Sequence, residues 1–290
     1  MNLVFKSQIP LLFIFSLMLI NCEPQPTAPI EKPDNRIFID TDPAWSPDGK
    51  WIAYTHCRRD TIGWDGIYII DTAGTTLEPY IKGGRYPDWS PDGSYIAFGY
   101  SRNIYTTTMD SSKKIIQLTT NGNSFLPSWS PDGEWIAFNI SVNSVEDTSG
   151  TNIVRIDGTK KRYLCGGGAP DWSPDGTKIV TGWYEIVIHS ISGDYDKQLT
   201  NSSNNQKYNN RHPAWSLNGR YIVWEHNFEV WIMNTDGSNQ KKLTDGENPH
   251  WSPDSEKIVF SRYVDDHNAL FIIDRDGTNI RKITGHETYS

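Results

Sequence analysis

Residues 43–54 read PAWSPDGKWIAY, and close variants of this stretch return five more times along the chain. The returns are PDWSPDGSYIAF, PSWSPDGEWIAF, PDWSPDGTKIV, PAWSLNGRYIVW and PHWSPDSEKIVF. The tryptophans of these six stretches, called the repeat tryptophans below, are Trp45, Trp89, Trp129, Trp172, Trp215 and Trp251. Spacings near 40–45 residues are typical of β-propeller blades.

Each repeat carries strand signals and no helical period. In the third repeat, residues 126–130 lead into a turn at 131–133, and the strand-like runs WIAFNI, NIVRI and KRYLC follow. Four such strands make one propeller blade. The sequence therefore predicts an all-β, six-bladed propeller over residues 36–290, with four antiparallel strands per blade.

The SPDG stretch has a structural explanation at each position. Proline presets φ for a turn, aspartate bonds to the local backbone, and glycine accepts the positive φ that follows. The tryptophan and the IAF residues supply apolar contacts between neighbouring blades. Where Ser255 replaces the glycine, we expect a left-handed residue at some energetic cost.

The pattern W-S-P-D-G-x-x-I-A-F, followed by I-Y-x-x-x-x-D-G and L-T, resembles the TolB-type propeller repeats of bacterial envelope proteins. The resemblance extends over nearly all of the chain from residue 36. It implies a WD40-like propeller in the cell envelope. TolB itself carries an α/β domain ahead of its propeller, and residues 1–35 do not resemble that domain, so we do not expect TolB's role in the Tol system.

The first 22 residues predict a lipoprotein signal peptide. Lys6 precedes the apolar run PLLFIFSLMLI, which has the length of a signal-peptide core and is too short to span a membrane. Residues 19–22 resemble a bacterial lipobox, with Asn21 where Gly, Ala or Ser is usual, so Cys22 is the expected lipidation site. Ordinary secretion and a retained anchor are the alternatives.

Residues 23–35 are rich in proline and predict an extended tether between this anchor and the propeller. A lipid-anchored protein facing the periplasm follows, and we favour the outer membrane over the inner one. The net charge of −8 argues against a nucleic-acid partner. We expect a monomeric propeller. Cys57 and Cys165 lie in different repeats, and two separate thiols are favoured over a disulfide.

Strand alternation divides the loops between two faces. The SPDG turns and the later Asp-Gly turns share one face, the turn face, which we interpret as uniform and structural. Variable loops before the first strand and after the second share the other, the loop face, where binding is expected. The predicted residues for a protein or acidic peptide partner are Arg58, Arg59, Trp64, Arg85, Arg102, Arg211 and Arg262.

Five histidines also fall in or beside the loop face: His56, His212, His226, His250 and His267. They allow an alternative function, a metal-dependent carbohydrate-active enzyme of the lyase kind, with a divalent metal at the channel mouth. Ordinary polar-loop histidines are the favoured interpretation, with no cofactor. No catalytic residues are assigned, because the sequence has no Gly-x-Ser-x-Gly, His-Glu-x-x-His or phosphate-loop motif.

The Asp-x-Asp-Gly-like stretches at 234–239 and 274–279 are interpreted as hairpin turns rather than calcium loops, because no glutamate stands at the twelfth position. Two strands are candidates for closing the ring. IFID at 37–40 is one, and RKIT at 281–284 is the other; the sequence leaves this choice open.

Overall fold

The computed structural model describes residues 38–58, 65–75, 80–120, 122–141, 149–201 and 210–284. Within these ranges the chain forms twenty-four β-strands in six consecutive groups of four: the first four and the last four strands share one eight-stranded sheet, and the sixteen between them form four sheets of four strands. The two four-stranded halves of the eight-stranded sheet are called sheet 1 and sheet 6 below. Among the same residues, no helix has the length and apolar character that a membrane span requires.

The first three groups run from residue 38 to residue 165. Sheet 1 contains β1 (Phe38–Trp45), β2 (Trp51–Arg58), β3 (Gly66–Asp71) and β4 (Ile81–Lys82). Sheet 2 contains β5 (Arg85–Trp89), β6 (Tyr95–Tyr100), β7 (Asn103–Thr108) and β8 (Ile115–Gln117). Sheet 3 contains β9 (Ser124–Trp129), β10 (Trp135–Ile140), β11 (Gly150–Arg155) and β12 (Arg162–Cys165).

The last three groups run from residue 168 to residue 282. Sheet 4 contains β13 (Gly168–Trp172), β14 (Lys178–Gly182), β15 (Val187–Ser190) and β16 (Asp196–Gln198). Sheet 5 contains β17 (Asn210–Trp215), β18 (Tyr221–His226), β19 (Glu229–Asn234) and β20 (Lys241–Asp245). Sheet 6 contains β21 (Glu247–Trp251), β22 (Lys257–Val264), β23 (His267–Asp274) and β24 (Arg281–Lys282).

Within each sheet, consecutive strands pair antiparallel in chain order. In sheet 5, for example, Tyr221 to His226 pair residue for residue with Asn234 to Glu229. The prediction of an all-β propeller built from four-stranded antiparallel sheets is confirmed.

The turn between the first and second strands depends on its serine as well as on Pro-Asp-Gly. In sheet 1 the Ser46 hydroxyl donates to Asp48 Oδ1 at 2.7 Å and accepts from the Trp51 backbone N–H at 2.9 Å. Gly49 has φ 74° and donates its N–H to the Ser46 carbonyl at 3.0 Å. The same serine bonds recur in the other five turns, so the hydroxyl fastens the turn to the second strand.

The two departures from SPDG meet each other across neighbouring sheets. Ser255, where other turns have glycine, has φ 60°, as the sequence predicts. Its hydroxyl oxygen accepts a hydrogen bond of 3.1 Å from the Asn218 backbone N–H. Asn218 lies in the turn where Leu217 replaces proline. The hydrogen bond offsets part of the cost of a left-handed serine.

The core consists of apolar layers between adjacent sheets. The repeat tryptophans are 1–8% exposed, and the clusters that contain them join side chains of two consecutive sheets. Trp89, for example, packs with Ala44 and Ile67 of sheet 1 and with Phe98 of its own sheet. The inter-blade packing role expected for these residues is therefore observed.

The ring closes where β1 meets β23, through both strand pairing and apolar packing. IFID contributes to β1, the first strand of sheet 1, and RKIT contributes β24, the outer strand of sheet 6. A single parallel pair, Ile39 with Asn268, connects β1 to β23. The junction also buries a cluster with Trp45 and Tyr54 on one side and Val259 and Leu270 on the other. Each group of four strands is thus formed from one continuous stretch of chain, and the β1–β23 pair joins the first and last groups into one sheet.

Candidate functional site

The first strands of all six sheets line a central channel. Each contains an X-Pro-Y-Trp stretch in which Trp is the repeat tryptophan: DPAW, YPDW, LPSW, APDW, HPAW and NPHW. The X and Y residues of all six sheets border one narrow cavity of about 110 Å³. Residues from distant parts of the sequence therefore meet on the channel axis.

All six X residues have positive φ, between 45° and 55°. They are Asp42, Tyr86, Leu126, Ala169, His212 and Asn248. Residues before proline normally adopt extended conformations, and side chains other than glycine rarely adopt positive φ. The first strand bulges at each of these positions, where its register with the second strand shifts. Each of the six first strands thus carries one strained residue beside the channel.

The Y residues alternate in chemistry around the ring. Asp88, Asp171 and His250 come from sheets 2, 4 and 6, whereas Ala44, Ser128 and Ala214 come from sheets 1, 3 and 5. Asp88 Oδ2 accepts from the Trp129 backbone N–H at 2.7 Å, and Asp171 Oδ2 accepts from that of Trp215 at 2.6 Å. His250 Nδ1 lies 3.3 Å from the Trp45 backbone nitrogen.

The hydrogen bonding of the indole N–H groups also alternates from sheet to sheet. Trp89, Trp172 and Trp251 each donate Nε1–H to the carbonyl of the small Y residue in the preceding sheet, at 3.1–3.2 Å. The indole nitrogens of Trp45, Trp129 and Trp215 are buried and have no hydrogen-bond partner within the described chain. The sixfold repeat therefore has a threefold alternation at its axis.

Burial shifts the titration of the polar channel groups. It raises the pKa of Asp88 to about 7, and the nearby Asp171 carboxylate adds to this increase. Burial also raises the pKa of Asp171 and that of Asp42 to about 6. The pKa of the His250 imidazole is lowered to about 4 by burial. Water solvates charges poorly inside the channel, so each group favours its neutral form.

The loop-face end of the channel is a hydrogen-bonded network. The Asn248 side-chain amide donates to Thr41 Oγ1 at 2.6 Å and to Asp42 Oδ1 at 2.7 Å. His212 Nδ1 lies 3.1 Å from Glu225 Oε2, and the Glu225 side chain is buried. These contacts connect sheet 6 to sheet 1 and hold the His212 ring within sheet 5.

Two grooves on the loop face contain four of the predicted residues. Arg85 and Arg102 border a groove of about 320 Å³ together with Tyr100. Arg262 and His267 border another groove, of about 460 Å³. Arg262 Nε donates to the Asp245 carbonyl at 2.8 Å and its guanidinium also bonds Thr244, so it is held in place by β20.

The predicted arginines do not form one continuous cluster. Arg211 lies in β17, where it pairs in register with Glu225, apart from both grooves. Arg58 ends β2, and nothing is described of its side chain. Cys22, Arg59 and Trp64 lie outside the described residues.

The five candidate histidines do not come together as a metal site. His212 and His250 border the channel, but His56 is buried with its Nδ1 2.6 Å from Asp40 Oδ1. The Nδ1 atom of His226 lies 2.9 Å from Asn210 Oδ1, and that of His267 lies 3.0 Å from the Asp265 carbonyl oxygen. In the described ranges, no group of three His, Cys, Asp or Glu residues is arranged to hold a metal ion.

The sequence places His250 beside the loop face and predicts a uniform turn face; in the structure His250 borders the channel and also a second cavity. His250 reaches a cavity of about 350 Å³ on the turn face, which Asp88 and Asp171 also border. The sequence does contain a signal for this cavity. The residue before the repeat tryptophan is Asp88, Asp171 or His250 in alternate repeats, and Ala or Ser in the others. Cys57 and Cys165 are both free thiols.

Comparison with known proteins agrees with this architecture. The family model described as the TolB β-propeller domain matches residues 28–167 and 86–289. An uncharacterised protein of Agrobacterium fabrum is 29% identical over 129 residues, which are 39% of this chain and 44% of that protein. The match thus spans less than half the length of this curated relative.

Two solved structures share the fold. The structure of a putative TolB from Agrobacterium tumefaciens superposes with a TM-score of 0.61 and 22% identity, over 82% of this chain and 90% of that one. TolB from Acinetobacter baumannii superposes with a TM-score of 0.60 and 20% identity, over 83% of this chain and 61% of that one.

Proposed function

The chain belongs to the TolB β-propeller domain family, and from this premise we propose that it is a binding scaffold of the bacterial cell envelope. Its loop face holds a protein or peptide partner. Propellers of this kind are rigid rings whose variable loops lie on one face, and such loops are where binding residues are usually found.

The observation that carries the proposal is a set of exposed aromatic side chains on the loop face. They lie in the last residues of second strands or in the connections to third strands, and they are 46–61% exposed: Tyr100, Trp183, Tyr184, Phe228 and Tyr263. They come from four of the six sheets. Tyrosine, tryptophan and arginine are enriched among residues that dominate binding energy at protein interfaces.

Two grooves on the loop face lie beside these aromatic side chains. Tyr100 and Arg102 border the groove on sheet 2, and Phe228 and Tyr263 border the groove that also contains Arg262. Each groove has room for one or two side chains of a partner. The two arginines favour a partner segment that carries carboxylates.

Anchoring belongs to the same proposal. Leu19 to Cys22 resemble a lipobox, and the proline-rich residues 23–35 suit a tether that lets the propeller search for a membrane-proximal partner. Replacing Cys22 by alanine tests this part: the wild-type chain should incorporate radiolabelled palmitate and sediment with membranes, and Cys22→Ala should do neither. Equal labelling of both proteins would reject the lipid anchor.

Binding is tested by co-purification from the envelope of the source bacterium with isotope-coded wild-type and variant proteins. The loop-face variant combines Tyr100→Ser and Phe228→Ser; the matched control combines Tyr163→Ser and Tyr195→Ser, which are 43% and 46% exposed on outer parts of sheets 3 and 4. A partner should be retained by wild type and control and reduced at least about tenfold by the loop-face variant, a loss of about 1.4 kcal/mol. Equal retention by all three proteins would reject the loop face as the binding surface.

A further inference from the structure

A second cavity lies on the turn face, away from the proposed partner surface. It has a volume of about 350 Å³. The repeat tryptophans form its wall, and the rim consists of the turn prolines together with Leu217, which takes the place of proline in sheet 5. Aromatic walls of this kind bind apolar stems and attract cations through their ring faces.

The floor of this cavity contains two carboxylates and an imidazole. Asp88 Oδ1 lies 4.0 Å from His250 Nε2, and Asp171 borders the same space. The Asp88 side chain keeps 20% of its surface exposed, so water and small solutes can reach it. Among the described residues, no lysine or arginine borders the cavity. His250 is therefore the one basic side chain beside these carboxylates among the described residues at the floor, and burial lowers the pKa of its imidazole.

The rim adds further negative charge. The carboxylates of Asp48, Asp92, Asp175 and Asp254 accept hydrogen bonds from the turn serines and from backbone N–H groups, which lower their pKa. These four groups are therefore ionised at neutral pH, and each directly follows a proline that borders the cavity. A ring of fixed negative charge raises the local concentration of cations.

The wall also contains hydrogen-bonding groups that the described chain leaves unused. The indole N–H groups of Trp45, Trp129 and Trp215 are buried without a partner, although nearly all buried polar groups in proteins have one. Through its backbone N–H, each of these tryptophans contacts a polar Y residue of the preceding sheet: Trp45 contacts His250, Trp129 contacts Asp88, and Trp215 contacts Asp171. An ammonium group is itself a donor, so these buried indole N–H groups offer it no hydrogen bond, and its polar contacts are made with Asp88 and Asp171.

We propose that this cavity binds a small organic cation, a primary ammonium group on an alkyl stem, with the stem against the repeat tryptophans and the ammonium at Asp88 and Asp171. The volume lies at the lower end of the range for small-molecule pockets. The rim is made of tight turns, which favours a free small molecule over the side chain of a docked peptide. This site is independent of the loop face and of its partner.

The probe for the test is n-hexylammonium, and the readout is tryptophan fluorescence together with titration calorimetry at pH 8. We expect saturable binding of n-hexylammonium and at least tenfold weaker binding of 1-hexanol, which has the same stem without the charge. The Asp88→Asn/Asp171→Asn double variant should bind n-hexylammonium at least tenfold more weakly than wild type. Asp266→Asn, on the loop face, should bind it as wild type does.

A second variant keeps the test independent of any folding defect in the double variant. Leu217 is exposed at the rim, and Leu217→Lys places an ammonium group where it can occupy the cavity. It should weaken binding of n-hexylammonium, whereas Leu217→Met should not. Circular dichroism confirms that each variant is folded.

Three results would overturn the proposal. Equal binding of 1-hexanol and n-hexylammonium would show that the cavity recognises the alkyl stem and not the ammonium group. Binding of methyl glucoside that is insensitive to Asp88→Asn/Asp171→Asn, with no binding of n-hexylammonium, would identify a carbohydrate site instead. Binding of a capped Gly-Lys-Gly peptide without binding of n-hexylammonium would assign the cavity to a peptide partner.

Discussion

Asp88 accepts a 2.7 Å hydrogen bond from the backbone N–H of Trp129, although the two residues belong to different sheets and are 41 positions apart. Asp171 accepts the equivalent hydrogen bond from the backbone N–H of Trp215, and these two residues are 44 positions apart. These carboxylates therefore connect neighbouring sheets at the channel, and the second oxygen of Asp171, Oδ1, also accepts a hydrogen bond of 3.1 Å from the Ser128 hydroxyl. Their charge and their hydrogen bonds can therefore be changed separately by substitution.

The pH dependence of stability should change when the channel carboxylates are removed. The folded-state pKa of Asp88, about 7, lies above its ordinary value of 3.8, so the folded protein binds the proton more tightly than the unfolded chain. Its stabilising contribution is complete below pH 4 and is lost as pH rises towards 7. His250 has the opposite effect, because its lowered pKa costs stability as pH falls from about 6.5 towards 4.

The variant Asp88→Asn isolates the effect of the Asp88 carboxylate on stability. Asn keeps an oxygen that can accept the Trp129 N–H, so Asp88→Asn removes the charge and retains the acceptor. Relative to wild type, Asp88→Asn should be more stable at pH 8, by up to about 4 kcal/mol for a shift of three pKa units, and should lose this advantage at pH 4. Urea unfolding at both pH values provides the measurement. A stability difference independent of pH would contradict the raised pKa.

Ring closure should depend on the apolar junction between sheets 1 and 6. Leu270 is fully buried there, and Leu270→Ala should reduce the free energy of unfolding by about 2–5 kcal/mol. Leu217→Ala, at an exposed position, should change it by less than about 0.5 kcal/mol. Chemical denaturation of both variants tests this prediction. Equal small effects would mean that the Ile39–Asn268 pair, rather than packing, holds the ring closed.

The left-handed Ser255 gives a prediction in which the smaller residue is tolerated better. Ser255→Gly relieves the strain of φ 60° and loses the hydrogen bond from Asn218, so the two effects should nearly cancel. Ser255→Ala keeps the strain and loses the bond, and should cost about 1–2 kcal/mol. Thermal unfolding should therefore rank glycine above alanine at this position. The reverse order would show that strain is negligible there.

The Cys165 thiol should be unreactive in the folded protein. Burial raises its pKa to about 12, with Asp196 adding to the effect, and thiolates rather than thiols are alkylated. Iodoacetamide at pH 8 should leave Cys165 unmodified until urea unfolds the chain. Mass spectrometry of the peptide that contains Cys165 detects the modification. Rapid labelling under native conditions would mean that this part of sheet 3 opens readily.

The fold was predictable because its determinants are local. Ser-Pro-Asp-Gly specifies a turn from four adjacent residues, and regular spacing of the repeat tryptophans specifies a repeated four-stranded unit. The channel site was not predictable in this way. Asp88, Asp171 and His250 become neighbours only after the ring closes, and their role depends on alternation with Ala44, Ser128 and Ala214.

The sequence predicts which face most of the candidate histidines lie on, but not which groups they contact. His226 and His267 lie on the face that strand alternation assigns to them, yet each contacts groups of its own surroundings. Membership of one face of a ring does not by itself bring side chains within bonding distance, and the imidazoles of His226 and His267 bond to local partners instead. Distances of that kind come from the folded backbone alone.

Site-specific photo-crosslinking in the intact envelope tests the central claim most directly. A benzophenone amino acid is placed at Tyr100 or Phe228 on the loop face and, as matched exposed controls, at Tyr163 or Tyr195. The proposed function predicts the same discrete crosslinked partner from both loop-face positions and none from the controls. Crosslinks that arise only from Tyr163 or Tyr195, or equally from all four positions, would contradict the assignment of partner binding to the loop face.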